Sequence, residues 1–252
     1  MSINEMRNLY ILLSIIIISS CTTPKKDLTA QEIIDRSIVA SNANLISNAK
    51  VSFNFRERTY IANRHHGLFS LERITRKGDS VTKDVLSNDG FKRSINNKPV
   101  QVSDSMALKY SESINSVHYF AVLPYGLNDK AVQKKLLKEV NIKGKTYYKI
   151  EITFRQEGGG IDYEDVFVYW VEKKDFNIDY MAYEFHVNGG GVRFREVIKE
   201  TTVTGIRFVN HANYKSKNSA LKVSELDQEF INGDLIKLSE INLENINVTL
   251  KK

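Results

Sequence analysis

Apolar residues recurring at every second position, in run after run, constrain this chain more than any other feature. Val51, Phe53 and Phe55 alternate with Ser52, Asn54 and Arg56, the period of a strand with one face buried and the other wet. Tyr148, Ile150, Ile152 and Phe154 alternate with Lys149, Glu151, Thr153 and Arg155; Met181, Tyr183 and Phe185 form a further set, and Ile206 with Phe208 another. Between the runs stand Lys77-Gly78-Asp79, Asn88-Asp89-Gly90 and Asn96-Asn97, which supply the positive-φ residues of tight hairpins. This pattern specifies antiparallel sheet and excludes the near-continuous apolar strands of an all-parallel α/β fold. Near the carboxyl end, Ile241 and Leu243 hold one parity and Ile246, Val248 and Leu250 the other. A bulge near Glu244-Asn245 is therefore expected.

Two stretches replace alternation with helical spacing. Thr29-Ala30-Gln31-Glu32 is a capping box, and Ile34, Ile38 and Leu45 continue it as one apolar stripe of about four turns. Asp104 can cap a second helix, in which Met106, Tyr110, Ile114, Val117 and Ala121 share a face and Pro124 ends the run. A shorter helix is expected from Asn128, with Ala131, Val132 and Leu136 inward. No linker divides the chain, so residues 29–252 are expected to form one α+β domain: a large antiparallel sheet with the two helices against one face. Whether they fill that face as an ordinary core or leave an apolar groove is open from the sequence.

Composition removes several function classes. With 252 residues, 42% of them hydrophobic, the chain can bury a core without disulfides or a structural metal. Its single cysteine excludes both a disulfide scaffold and a thiolate-rich zinc site. His65, His66, His118, His186 and His211 include no i, i+4 pair of the zinc-enzyme kind, and each reads as structural or solvent-exposed. Neither a Gly-x-Ser-x-Gly elbow nor a phosphate-binding glycine loop occurs. No cofactor and no metal are expected.

The amino terminus reads as an address. Leu9 to Ile18 is a ten-residue apolar run preceded by Arg7; as helix it would rise about 15 Å, half a bilayer core, which suits a secretory signal rather than a membrane span. Ile18-Ser19-Ser20-Cys21 resembles the lipobox of bacterial lipoproteins. The resemblance implies that residues 1–20 are a signal peptide cleaved after Ser20, that Cys21 carries the lipid anchor, and that residues 21–28 are a lipidated tether. Export would exclude nucleic acid as the partner of a net charge of +6 and leave the membrane as the partner reached through the lipid. Because no acidic run follows Cys21, the periplasmic face of the outer membrane is the expected location.

The order of helix, strands, helical insertion and strands behind a lipobox resembles the LolA and LolB type of lipoprotein carriers. That likeness implies a sheet curled into a half-barrel, helices on its concave face and a cavity for acyl chains. A further likeness is to a family of Bacteroidota lipoproteins of unknown function. It is carried by Val51-Ser52-Phe53-Asn54-Phe55-Arg56, Ser87-Asn88-Asp89-Gly90-Phe91, Asn115-Ser116-Val117-His118-Tyr119-Phe120, Leu123-Pro124-Tyr125-Gly126-Leu127 and Gly189-Gly190-Gly191-Val192-Arg193-Phe194-Arg195-Glu196. Some of its members bear the label deoxyribose-phosphate aldolase. Eight β-α units are needed for that enzyme, and alternating strands joined by hairpins do not supply them.

Candidate residues for function follow from this reading. Phe53, Phe55, Tyr119, Phe120, Phe154, Trp170, Phe185, Phe194 and Phe208 could line one concave apolar surface for a lipid-like ligand; the same residues would serve an ordinary core. Two triple-glycine turns flank charges: Asp162, Glu164 and Asp165 follow the first, Arg193 and Arg195 the second. Three glycines cost backbone entropy, which suggests unusual backbone angles or the close approach of another group. The charges could form a polar rim to a ligand mouth, or cross-strand pairs on a solvent face. Strand alternation disfavours calcium, because Asp165 would face away from Asp162 and Glu164. A non-catalytic lipid-binding lipoprotein is the function expected. The alternatives are an envelope hydrolase using carboxylates at the glycine turns and a structural or partner-binding lipoprotein.

Overall fold

The computed structural model describes residues 27–158, 163–185, 190–218 and 221–251. The leader with Ser20 and Cys21 lies outside these, as do Asp162 and His186. Helix α1 (Ala30–Ala40) opens on the expected capping box: the Thr29 hydroxyl accepts from the Glu32 amide at 3.2 Å, and the Thr29 amide donates to the Glu32 carboxylate at 2.7 Å. It ends earlier than its apolar stripe suggested. The Ser41 hydroxyl donates back to the Ser37 carbonyl at 2.7 Å, Asn42 takes φ 51°, and Leu45 sits on a separate 3-10 turn over Ala43–Asn48.

The chain then builds hairpins: β1 (Ala49–Phe55), β2 (Arg58–His65), β3 (Leu68–Lys77), β4 (Ser80–Ser87), β5 (Gly90–Ile95) and β6 (Lys98–Val100). Helix α2 (Asp104–Ala121) is the expected insertion, with Ser103 at its N-cap and Asp104 already in the first turn. The second half adds β7 (Val132–Leu136), β8 (Val140–Ile142), β9 (Lys145–Phe154), β10 (Phe167–Glu172), β11 (Ile178–Phe185), β12 (Gly191–Val203) and β13 (Ile206–Lys215). Helix α3 (Leu226–Asn232), β14 (Ile236–Ile241) and β15 (Glu244–Leu250) complete it.

All strand pairs are antiparallel, and the sheet is open, as expected of an unclosed barrel. It is split in two: a seven-stranded sheet in the order β15-β1-β2-β3-β4-β5-β6, and a second in the order β14-β13-β12-β11-β10-β9-β7. At Asn242-Leu243 the chain passes from the second sheet to the first. The parity change read in the sequence coincides with that crossing, and a bulge accompanies it: pairing skips from Ser52↔Asn247 to Asn54↔Glu244, with Asn245 at φ 52°. The helix expected from Asn128 is instead β7, whose Val132 and Leu136 pair with Phe154 and Ile150. The bare edge of β9 offers those residues hydrogen bonds that outweigh a weak local helical pattern.

Both faces of the second sheet are buried at β10, all six of whose residues are inaccessible or nearly so. On the inner face Phe167, Tyr169 and Val171 pack with Ile150, Ile152 and Met181 against Ile33 and Ile34 of α1. On the outer face Val168, Trp170, Tyr180 and Phe194 pack under Val223, Leu226 and Phe230. The Asp227 carboxylate, fully buried, fastens this outer cover by accepting from Lys149 Nζ at 2.7 Å and Trp170 Nε1 at 3.1 Å.

Helix α2 is held by polar contacts to the first sheet. Asp84, 2% exposed, accepts from Arg73 Nη2 at 2.8 Å and Arg93 Nε at 2.6 Å, and Arg73 Nη1 donates to Ser113 Oγ of α2 at 2.9 Å. Arg93 also lies 3.7 Å over the Tyr110 ring. One turn on, His118 Nε2 meets the Glu72 carbonyl at 3.1 Å, and its ring is flanked edge-on by Phe53 and Tyr60. Burial lowers the His118 pKa to about 4, so the ring is neutral and Nε2 carries the donated hydrogen.

Burial opposes ionisation of Asp84, but hydrogen bonds from Arg93 and Arg73 outweigh it and hold its pKa below the ordinary value. Asp84→Ala would leave two guanidiniums uncompensated and is predicted to cost about 3–5 kcal/mol in urea unfolding at pH 7. A depressed carboxylate contributes stability above its unfolded pKa, about 3.9, and loses it as pH falls through the folded value. The gap between wild type and variant should therefore shrink as the titration is repeated below about pH 4.

Candidate functional site

Between α2 and the inner sheet faces lies a cavity of about 1000 Å³, at the upper end of the ~300–1000 Å³ of ordinary ligand pockets. Phe55 and Leu86 of the first sheet, Val117 and Phe120 of α2, and Phe154, Phe167, Tyr183 and Phe185 of the second sheet make its apolar wall; Val209, Ile241 and Leu243 extend it. The aromatic rings form a connected set, with Phe120 and Tyr183 centroids 5.2 Å apart, Phe167 and Tyr183 5.6 Å, and Phe154 and Phe167 5.8 Å. Leu108, 45% exposed, also lines it, so apolar surface reaches solvent along α2. Helix α2 also contributes Tyr119 and Ala121, and a polar set from Lys109, Ser111, Glu112, Ser113, Asn115 and Ser116.

One wall carries charge. Arg193, Arg195, Asp165 and His211 all face the cavity. Arg195 is 8% exposed; its Nη2 donates to Tyr183 Oη at 2.8 Å, and its guanidinium stands 4.2 Å from the Phe120 ring centroid and 5.0 Å from that of Tyr183. Its Nε is buried without a hydrogen-bond partner. Burial lowers its pKa from the ordinary value, yet an arginine starting above 12 remains charged at any physiological pH. Next to it His211 is held neutral, pushed down to about 3 by burial and by the charges of Arg195 and Arg207. Deeper in the same wall, Tyr119 and Tyr169 share a hydroxyl contact at 3.2 Å, and burial raises the Tyr119 pKa to about 12.

The structure sorts the residues expected at the concave surface into three groups. Phe55, Tyr119, Phe120, Phe154 and Phe185 line the cavity. Phe53 and Phe208, 1% exposed each, belong to the adjoining core with Ile46, Val51 and Tyr60. Trp170 and Phe194 do not face the concave side at all: odd positions of β10 and of β12 at Arg193 and Arg195 point inward, which sends their even neighbours to the outer face beneath α3. No periodic pattern marks that outer cover, because α3 is only seven residues long. Tyr183, Phe167 and His211 were not singled out. His211 escapes notice because β13 lines the cavity through Val209 and His211, on the parity opposite Ile206 and Phe208, near the point where pairing with β12 shifts between Val197 and Lys199.

Of the expected rim, Arg193, Arg195 and Asp165 reach the cavity, Glu164 is exposed outside it, and Asp162 lies outside the described residues. Of the three carboxylates after the first glycine turn, Asp165 is the one that reaches the cavity among the described residues, where Glu112 of α2 also stands; no three metal-ligating side chains converge among the described residues. Gly191 accounts for part of the glycine repeat: at φ 140°, a Cβ would stand 3.4 Å from Arg193 Nη1 and 3.5 Å from Phe185 Cζ. Those are ordinary contact distances, so it is the backbone angle that favours glycine here; beside it Arg193 lies over the Phe185 ring, 4.9 Å from the centroid.

The model of a family of unknown function, DUF6503, matches residues 7–244. The chain belongs to this family. Comparison with curated protein sequences gives no match. Among solved structures the chain is similar to a LolA superfamily protein, NE2245, from Nitrosomonas europaea, with 12% identity, a TM-score of 0.48, and 90% of this chain covering 95% of that one. It is also similar to a DUF1329 family protein from Desulfovibrio piger, with 12% identity, a TM-score of 0.41, and coverage of 88% and 93%. The lipoprotein LppX of Mycobacterium tuberculosis gives 10% identity, a TM-score of 0.29, and coverage of 63% and 89%. These likenesses are loose, and the architecture of this family member rests on its own strand pairing.

The outer position of Trp170, the single tryptophan of the chain, predicts its optical behaviour. Its emission should be that of an apolar site, weakly quenched by acrylamide, and 9,10-dibromostearate bound in the cavity should leave it unquenched. Asp227→Ala, which removes the acceptor of its indole N–H and of Lys149, should cost about 3–5 kcal/mol and raise acrylamide quenching.

Proposed function

We propose that this DUF6503 protein is an envelope lipoprotein that holds a lipid acyl chain or a similar apolar ligand in the cavity between α2 and the second sheet, without chemistry on it. One observation carries the reading: about 1000 Å³ of space walled by connected aromatic rings and continuous with exposed apolar surface on α2. Apolar side chains facing a solvent-open space of that size keep their surface in contact with water. An apolar chain laid along it removes that surface from water, which contributes roughly 25 cal/mol per Å². One side of the space is anchored, because Asp84, through Arg73, and His118 tie α2 to the first sheet.

The same reading takes the chain as an exported lipoprotein of the Bacteroidota kind, with residues 1–20 removed after Ser20, Cys21 lipidated, and residues 21–28 as the tether to the periplasmic face of the outer membrane. The short apolar run, the lipobox-like tetrad and the lack of an acidic stretch after Cys21 support this. Each buried methylene of an acyl anchor contributes about 0.8 kcal/mol, so two or more chains hold a protein on a membrane stably.

Native mass spectrometry of protein released gently from its own envelope tests the carrier reading. Wild type is predicted to carry a lipid-sized mass adduct that organic extraction removes. Val117→Trp, which puts an indole into the cavity, should leave the fold intact by circular dichroism and abolish most of the adduct. A clean, adduct-free wild-type mass would contradict the reading.

A further inference from the structure

We infer that Arg195 is a head-group subsite: the cavity selects an acyl ligand that ends in an anionic oxygen group, a carboxylate or a phosphate monoester. The inference rests on the carrier reading and adds the chemical class of the ligand.

Arg195 is buried among aromatic rings with no carboxylate in ion-pair contact among the described residues. Removing a guanidinium from water costs several kcal/mol unless an opposite charge and hydrogen bonds compensate. Here the compensation within the protein is partial: one hydrogen bond to Tyr183 and cation–π contact with Phe120 and Tyr183. The Nε–H, on the edge with which arginine grips a carboxylate or phosphate oxygen side-on, has no acceptor. His211, neutral, adds no counter-charge. Arg193 on the same wall raises the positive potential further, its Nη1 held by the Val192 carbonyl at 2.9 Å.

Other charged residues of the cavity do not reverse this. Asp165, Glu112 and Lys109 also line it, and no salt bridge joins either acid to Arg195 among the described residues. A ligand anion placed against Nε would satisfy the orphan donor and neutralise the charge in one step, while its chain lies along Phe120, Phe154 and Phe167. A neutral apolar ligand would do neither. It would deepen the desolvation of Arg195 by excluding the remaining water.

The test compares three probes on the full-length, delipidated protein: palmitate, 1-palmitoyl lysophosphatidate, and 1-hexadecanol as the uncharged match. At least one anion is predicted to bind about tenfold or more tightly than hexadecanol, and the tighter anion identifies the head group. Arg195→Met should remove that advantage and leave hexadecanol binding within about twofold, while raising the thermal midpoint of the ligand-free protein, since it deletes an uncompensated buried charge. Wild-type discrimination needs no variant, so a misfolded Arg195→Met would not obscure the answer. Equal binding of all three probes, or an equal loss of all three in a folded Arg195→Met, would overturn the head-group assignment and leave the carrier reading standing. Failure of every probe to bind would remove both.

Discussion

The buried carboxylate of Asp84 decides where α2 can sit. By gathering Arg73 and Arg93, and through Arg73 reaching Ser113, it commits the helix to the first sheet, and His118 repeats the commitment one turn later against Glu72. The second sheet has eight strands and, with β7 and β8 both paired to β9, is seven strands wide; at about 4.8 Å spacing it spans about 29 Å, whereas a helix with its side chains covers about 10–12 Å. Helix α1 takes one strip of the inner face. Because α2 is drawn toward the first sheet, it cannot close the rest. The strip that α2 reaches only through Tyr119 and Phe120, faced by Phe154, Phe167, Tyr183 and Phe185, borders the cavity. On the opposite face α3 is fastened directly to the sheet through Asp227.

That division of labour between polar anchors and apolar surface explains what could and could not be read from the chain. Alternation at Val51–Phe55 and Tyr148–Phe154 gave strands and their buried faces, and the hairpin signals gave antiparallel order. Thr29 and Glu32 marked the start of α1. Alternation cannot say which side of a doubly buried strand faces which cover, so Trp170 and Phe194 were grouped with residues that point the other way. It also cannot show that one sheet is two. The parity change at Ile246 was visible, but the strand exchange beside it depends on β15 finding β1, almost two hundred residues earlier in the chain. The segment after Asn128 is ambiguous for a related reason: pairing with β9 is a tertiary fact, and Val132 and Leu136 fit either period.

The candidate site was legible in part. Its aromatic content and the arginines after the second glycine turn stood out as sequence features, and Phe55, Tyr119, Phe120, Phe154, Phe185, Arg193, Arg195 and Asp165 meet around one space. What no pattern conveys is the electrostatic state of that space. Arg195 reads as an ordinary strand charge, and only its contacts reveal a guanidinium enclosed by rings with an idle donor. Likewise Gly191 reads as turn punctuation, while its φ of 140° at the start of β12 shows a backbone conformation that favours glycine beside Arg193 and Phe185.

A crystal structure of the protein carried through purification from its own envelope without exhaustive delipidation tests the central claim most directly. Elongated electron density is predicted along Phe154, Phe167 and Tyr183, with α2 still fixed to Asp84 and the density ending within hydrogen-bond reach of Arg195 Nε. Density absent from that space, with α2 shifted so that Phe120 fills the strip between the sheets, would contradict it.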